Sequence, residues 1–288
     1  MKHLKLGDDL LRIFCLCIVS VLFASTSTHA SGFAPSLLRL LKTDASNLES
    51  AFRPVVEGVV EEAQFRTQFA MVAKIKVRAA LTPVSVPEEI AVISFPSTGS
   101  FPAFKEGEEI LLFLMEAPPV WYEAFSSGSE KFYAIHEGFF GKYDLRSTQG
   151  QRVEAGTRSI VSALGEPIKN ARLAALKQCY MGLLRLRDNF LSTCAVEDLV
   201  SHPELSPYIV PEDSKAIRDY VVEEGKSFMS TELLRLFVPL RLTSEEDIAF
   251  LRNLSQSKTV ALSPENLEPS LAETAGRVLE RLNHKQGN

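Results

Sequence analysis

The sequence predicts an α+β protein: a small antiparallel β-barrel or sandwich, followed by an all-α region that is either a helical bundle or a short helical repeat. Three observations carry that prediction. Apolar residues alternate every second position from Pro54 to about Val153, the spacing lengthens to threes and fours after Gly156, and the composition is globular. The 288 residues are 45% hydrophobic and 23% charged, with 15 Gly and 15 Pro, which excludes disordered, collagen-like and coiled-coil classes. The formal charge of −5, from 31 Lys+Arg against 36 Asp+Glu, removes the broad attraction that nucleic-acid binders use, so no nucleic-acid partner is expected.

The first element is a targeting segment. Lys2, Lys5 and Arg12 precede an apolar run over residues 13–24, and Thr28-His29-Ala30 offers small residues to a signal peptidase. The expectation is a cleaved signal peptide over residues 1–30, a mature start at Ser31, and a periplasmic or secreted protein in a bacterial envelope. The acidic Asp8 and Asp9 keep an uncleaved amphipathic anchor as the alternative. The apolar run is shorter than the roughly twenty residues of a spanning helix, and no other stretch approaches that length, so no permanent membrane span is expected in the mature chain. Cys15 and Cys17 lie inside the signal without the pattern that bacterial lipidation requires. Residues 31–53 are read as a helical lead-in.

The barrel is assigned to residues 54–155. Its clearest strand places Phe69, Met71, Ala73, Ile75 and Val77 in one row and Gln68, Lys74, Lys76 and Arg78 in the other. Further strands are predicted over 55–61, 89–95, 109–115, 120–125, 131–136 and 140–145. Thr82-Pro83, Ser97-Thr98-Gly99, Lys105-Glu106-Gly107, Ala117-Pro118-Pro119 and Ser126-Ser127-Gly128 supply the turns between them.

The helical region is assigned to residues 156–288. A helix starting near Pro167 carries the stripe Ala171, Ala174, Ala175, Leu176, Cys179, Leu183 and Leu186. Pro211 opens a second helix, toward Glu224, with Ile217, Tyr220 and Val221 apolar. Ser230 is positioned to cap a third that carries Leu233, Leu234, Phe237 and Val238 and ends at Pro239. Thr243 with Glu246, and Ser270 with Glu273, have capping-box spacing ahead of two more. Cys179 and Cys194 on one continuous helix would be about 22 Å apart. A disulfide between them therefore needs a reversal, for which Arg187-Asp188-Asn189 is the candidate; two buried thiols are the other reading.

Two stretches resemble known families. Val55-Val56-Glu57-Gly58-Val59-Val60, the long alternating strand, and Phe104-Lys105-Glu106-Gly107-Glu108-Glu109 leading into Ile110-Leu111-Leu112-Phe113-Leu114 resemble the bacterial netrin-like and metalloproteinase-inhibitor-like OB folds. The resemblance implies an OB-like barrel over about sixty residues. The mature chain has no N-terminal cysteine, so the zinc-chelating mode of the animal inhibitors does not carry over. Ala171-Arg172-Leu173-Ala174-Ala175-Leu176 after Pro167 is similar to HEAT-type helical hairpins.

Catalytic and metal chemistry finds little footing. His136, His202 and His284 remain after the signal; His136-Glu137 falls at a strand end without a second helical histidine, His202-Pro203-Glu204 reads as a loop, and His284 as tail. There is no Gly-x-Ser-x-Gly elbow and no phosphate-binding glycine loop. The pairs Glu61-Glu62, Glu88-Glu89 and Glu108-Glu109 read as solvated strand ends. No cofactor, metal or catalytic set is expected. The aromatic segment Trp121, Tyr122, Phe125, Tyr133 and Phe140 is the candidate binding surface or, alternatively, the seam between the two halves. The expected function is a non-enzymatic binding or adaptor module acting on an envelope or secreted protein or peptide. A hydrolase of envelope material with dispersed residues and an inhibitor of a secreted peptidase are the alternatives.

Overall fold

The computed structural model describes residues 36–118, 132–186, 188–224, 233–234, 244–256 and 271–286. Residues Ala34–Asn288 form one compact unit. Its chain order is a short helix α1 (Leu37–Leu41), strands β1 (Val55–Phe65), β2 (Met71–Ala80), β3 (Glu89–Ser94), β4 (Glu109–Glu116), β5 (Phe132–Ile135) and β6 (Lys142–Asp144), and then helices. The helices are α2 (Thr148–Leu164), α3 (Lys169–Arg185), α4 (Asn189–Ser201), α5 (Ser214–Glu224), α6 (Glu245–Gln256) and α7 (Leu271–Gln286).

Five strands close on themselves in the OB-like order β1-β2-β3-β5-β4-β1, and the short β6 extends one edge of β4. The pairs are antiparallel, with Val56 opposite Leu112 across the β1–β4 seam and Ile75 opposite Ile90 across β2–β3. One pair departs from the all-antiparallel expectation: β3 and β5 run parallel, with Val92 opposite Tyr133. Alternation turns Val56, Val60, Ala73, Ile75, Ile90, Val92, Ile110, Leu112, Leu114 and Ile135 inward, where they pack into one apolar core. Two register shifts in β1 bend it around that core. At the first, Gly58 lets β1 approach β2 so closely that a Cβ there would stand 2.6 Å from Ile75 Cγ2 and 2.8 Å from the Lys76 carbonyl oxygen.

Strand β4 is buried on both faces. Leu111 and Phe113, pointing away from the barrel, are as fully enclosed as the inward Leu112. Helix α2 packs against β4 and β6, and Tyr143 of β6 meets Phe113 edge-on at 6.2 Å and Phe190 of α4 at 5.6 Å. The four leucines of α1 are fully buried, and α1 packs on α4.

Several boundaries differ from the sequence reading. The change from strand to helix falls between Asp144 and Thr148, ahead of Gly156, because Ser147 caps α2: its hydroxyl accepts from Gly150 N at 2.9 Å. Helix α4, unanticipated, starts at an Asp188 cap whose carboxylate accepts from Leu191 N at 3.1 Å. The buried face of α3 is Leu173, Leu176, Lys177, Tyr180, Met181, Leu183 and Leu184; Ala171 and Leu186 of the expected stripe are exposed. The stripe is displaced because Lys177 is buried as an ion pair, which apolar periodicity does not register. The cap of α6 is Ser244 with Asp247, one residue beyond the predicted Thr243 with Glu246, since Asp247 is the buried partner of Arg218. His284 lies within α7 and is not a tail. The proposed strand over 120–125, Ser230, Thr243, Ser270, and Phe237 to Pro239 lie outside the described residues.

The junction of barrel and helices depends on a close approach at Gly150, where a Cβ would stand 1.9 Å from the Asp144 carbonyl oxygen. Gly150→Ala must push α2 away from β6 and is expected to lower stability by about 2 kcal/mol or more, whereas Gly182→Ala, with open space, should be neutral or stabilising. Chemical denaturation of the two variants distinguishes these outcomes.

Candidate functional site

The topology gathers exposed aromatics at one end of the barrel. Strands β1 and β3 both run antiparallel to β2, and β5 runs parallel to β3, so the ends of β1, β3 and β5 emerge together. The β1–β2 hairpin is an ordered turn: Arg66 N donates to Ala70 O at 2.9 Å, and the Thr67 hydroxyl accepts from Phe69 N and Ala70 N. Ser97 in the turn after β3 donates to the Gln68 carbonyl at 2.9 Å, tying that turn to the hairpin. The segment after β5 packs on the same connection, with Gly138 at φ 57° so near that a Cβ would be 2.4 Å from the Ser100 carbonyl oxygen.

On the first and last of these connected segments Phe65 is 55% exposed, Phe69 38%, Phe139 53% and Phe140 40%, with the turn after β3 bridging them. Local hydrogen bonds hold the turns, so the rings are presented on a fixed backbone. Phe140 also stacks on Phe190 of α4, centroids 5.8 Å apart and planes within 12°. It therefore stands where this rim joins the helical half.

Sequence-predicted residues distribute differently. Tyr133 belongs to the barrel core, a correction to its assignment as surface or seam: alternation on β5 sends it inward. Trp121, Tyr122 and Phe125 lie outside the described residues. Phe69 was expected in the inward row of β2, but it sits in the turn before that strand begins. Phe65 escaped the sequence reading because β1 was predicted to stop at residue 61; the Thr67 turn motif between two phenylalanines is the signal that could have found both.

The histidine and the acidic pair nearest the barrel are held by structural contacts. His136 points Nε2 at the Arg39 carbonyl oxygen at 3.1 Å and lies 3.8 Å from Glu137, which itself pairs with Arg39 at 3.0 Å. Burial, with the positive charges of Arg53 and Arg39, pushes its pKa down from 6.5 to about 4. The ring is neutral and spends its Nε2–H on the carbonyl, which leaves that nitrogen no lone pair for general-base work. Glu108 is bound by Lys142 at 2.6 Å, and Glu109 lies between Arg146 and Arg78, both at 3.2 Å, whose hydrogen bonds hold its carboxyl low. Cys179 is half-buried and Cys194 buried, on antiparallel neighbours α3 and α4; both are thiols, not a disulfide, and burial raises both pKa values.

Two of the buried carboxylates are ion-paired. Lys177 Nζ lies 2.8 Å from Asp213 Oδ2, both enclosed, and Arg185 reaches the other carboxylate oxygen at 3.1 Å. Arg218 binds the fully buried Asp247 across α5 and α6. Among the described residues no group of three His, Cys, Asp or Glu is placed to hold a metal ion, and no helix is long and apolar enough to cross a membrane.

No protein-family model matches this chain, and no curated protein matches it.

Two outcomes follow from these charges. Lys177→Met leaves the enclosed Asp213 with only the half-exposed Arg185 as its cation and is expected to cost somewhat less than the roughly 3–5 kcal/mol of a fully stranded charge, with much of the loss recovered in Lys177→Met/Asp213→Leu; a double-mutant cycle by urea unfolding reads it. His136 binds its proton more weakly when folded than when unfolded, so its contribution is complete above about pH 6.5 and is lost as pH falls through about 4. Relative to His136→Gln, the natural chain should lose about 3 kcal/mol across that interval, measured as unfolding free energy against pH.

Proposed function

We infer that this protein is a non-enzymatic binding module of the bacterial envelope, exported by residues 1–30 and engaging a protein or peptide through the aromatic rim at the barrel end. The observation that carries this reading is the rim itself: Phe65, Phe69, Phe139 and Phe140 exposed on two segments tied together through the turn after β3. Large apolar rings in water are costly unless a partner covers them, and rigid aromatics give much contact area for little lost conformational freedom. The satisfied state of His136 and of the paired carboxylates supports binding over hydrolysis. The likeness of residues 55–114 to netrin-like OB domains agrees in kind with a protein-binding role, and we extend it to this chain as part of the same proposal.

The test uses the full-length chain expressed in a bacterial envelope. Phe65→Ser with Phe139→Ser should leave folding intact, since both rings are exposed, and should weaken capture of a specific envelope protein in pull-down by about tenfold or more. Terminal sequencing of the same material should find Ser31 first. Capture unchanged in the double variant would overturn the rim, and an intact Met1 in the cytosol would overturn the export.

A further inference from the structure

Strand β1 is longer than the strand beside it. β4 pairs with β1 only from Val55 to Val59, and the seam closes at Val60, which donates its N–H to the Glu108 carbonyl at 3.0 Å and accepts from Gly107 N at 2.8 Å. Beyond it, residues 61–65 pair with β2 alone among the described residues. They form an open sheet edge, whose unpaired backbone groups are a template for another strand.

The ladder fixes which of those groups face outward. Arg66 N donates to Ala70 O at 2.9 Å, and hydrogen-bonded pairs alternate back along the hairpin from there, to Gln64 with Val72 and Glu62 with Lys74. Ala63 and Phe65, opposite Ala73 and Met71, therefore turn their N–H and C=O away from β2, as Val60 opposite Ile75 does. Val60 is satisfied by the turn before β4; the outward groups of Ala63 and Phe65 have no such partner among the described residues. Side chains alternate too. Glu62, Gln64 and Arg66 share one face, where the Gln64 amide donates to Glu62 Oε1 at 2.6 Å, and Ala63 and Phe65 share the other. Glu62 and Arg66 are exposed, and neither has an ion-pair partner among the described residues.

The register shift at Glu61 and the charge of Glu62 turn away an ordinary strand. The strand that fits brings a cation opposite Glu62, an anion opposite Arg66, and outward backbone groups at alternate positions between them. Glu62-Ala63-Gln64-Phe65-Arg66 run in reverse is that strand. We propose that the open edge of β1 pairs antiparallel with the same edge of a second copy of this chain, about a two-fold axis at Gln64. In this register Ala63 faces Phe65 of the second copy in two hydrogen-bonded pairs, Glu62 faces Arg66 of the second copy twice, and the two Gln64 side chains meet at the axis. Moving the axis to Ala63 or Phe65 parts Glu62 from Arg66. The pairing has room for residues 62–66 only, between the closed Val60 and the Thr67 turn. So short a pairing falls below the roughly 1,200 Å² of a standard interface, and the dimer is a weak one. The inference goes beyond the rim's partner and does not depend on it: Phe65 stands beside the small Ala63 of the second copy, and Phe69, Phe139 and Phe140 lie outside the paired residues.

Sedimentation velocity of the full chain at rising protein concentration reads the dimer. Arg66→Glu sets carboxylate against carboxylate and Glu62→Arg sets guanidinium against guanidinium; both side chains are exposed, so each variant should fold and should raise the dimer Kd about tenfold or more. Mixing the two variants should restore association as a heterodimer, because one copy then offers two cations to the other's two carboxylates, and Glu62→Arg/Arg66→Glu should restore the homodimer. Gln64→Cys should form an intermolecular disulfide in air, whereas Glu62→Cys, about 14 Å from its own copy, should not. The natural chain run beside them accounts for its own 4 cysteines. A natural chain monomeric at every concentration, a dimer unmoved by Arg66→Glu, a mixture that stays apart, or a crosslink through Glu62→Cys in place of Gln64→Cys overturns the proposal.

Discussion

A strand that must be dry on both faces organises this molecule. β4 alternates between two apolar environments, with Ile110, Leu112 and Leu114 toward the barrel and Leu111 and Phe113 toward the helices. At roughly 25 cal/mol per Å², neither set can be left in water without a cost comparable to the net stability of a domain. Barrel closure satisfies the first set through the β1–β4 seam. The helical layer satisfies the second, with Tyr143 and Phe190 completing the cover. The two halves are therefore one cooperative structure whose shared wall is this strand.

The helical half solves a different problem, the enclosure of charge. Lys177 faces Asp213, and Arg218 faces Asp247, each pair joining elements distant in sequence. Such pairs add little net stability over apolar substitutes but penalise any packing that separates them. They fix which helix meets which. The aromatic rim stands apart from both devices, since its exposed rings complete no core.

How far the chain could be read in advance follows from the same physics. Strand alternation and turn residues are local, so the barrel strands were legible to within a few residues, and so was the rhythm that separates strands from helices. The parallel β3–β5 pair was not, because closure is decided by residues some forty positions apart. The face of α3 was misjudged because Lys177 counts as polar until its partner Asp213 is known. Phe69 turned out exposed because a turn at Thr67 starts β2 later than the alternation suggested, and Tyr133 turned out core because alternation on β5 sends it inward. His202 looked like loop because a single histidine carries no information about the carbonyls, those of Asp198 and Ala45, that will surround it.

The short leucine helix α1 has a consequence for the order in which the molecule is made. Its Leu38 amide finds its acceptor 160 residues further along, on α4. During vectorial synthesis four adjoining aliphatic side chains must wait, unsheltered, until most of the polypeptide has emerged. α1 is thus among the last of the described elements able to settle, and a ribosome-bound nascent chain would display a sticky segment suited to capture by a holding chaperone.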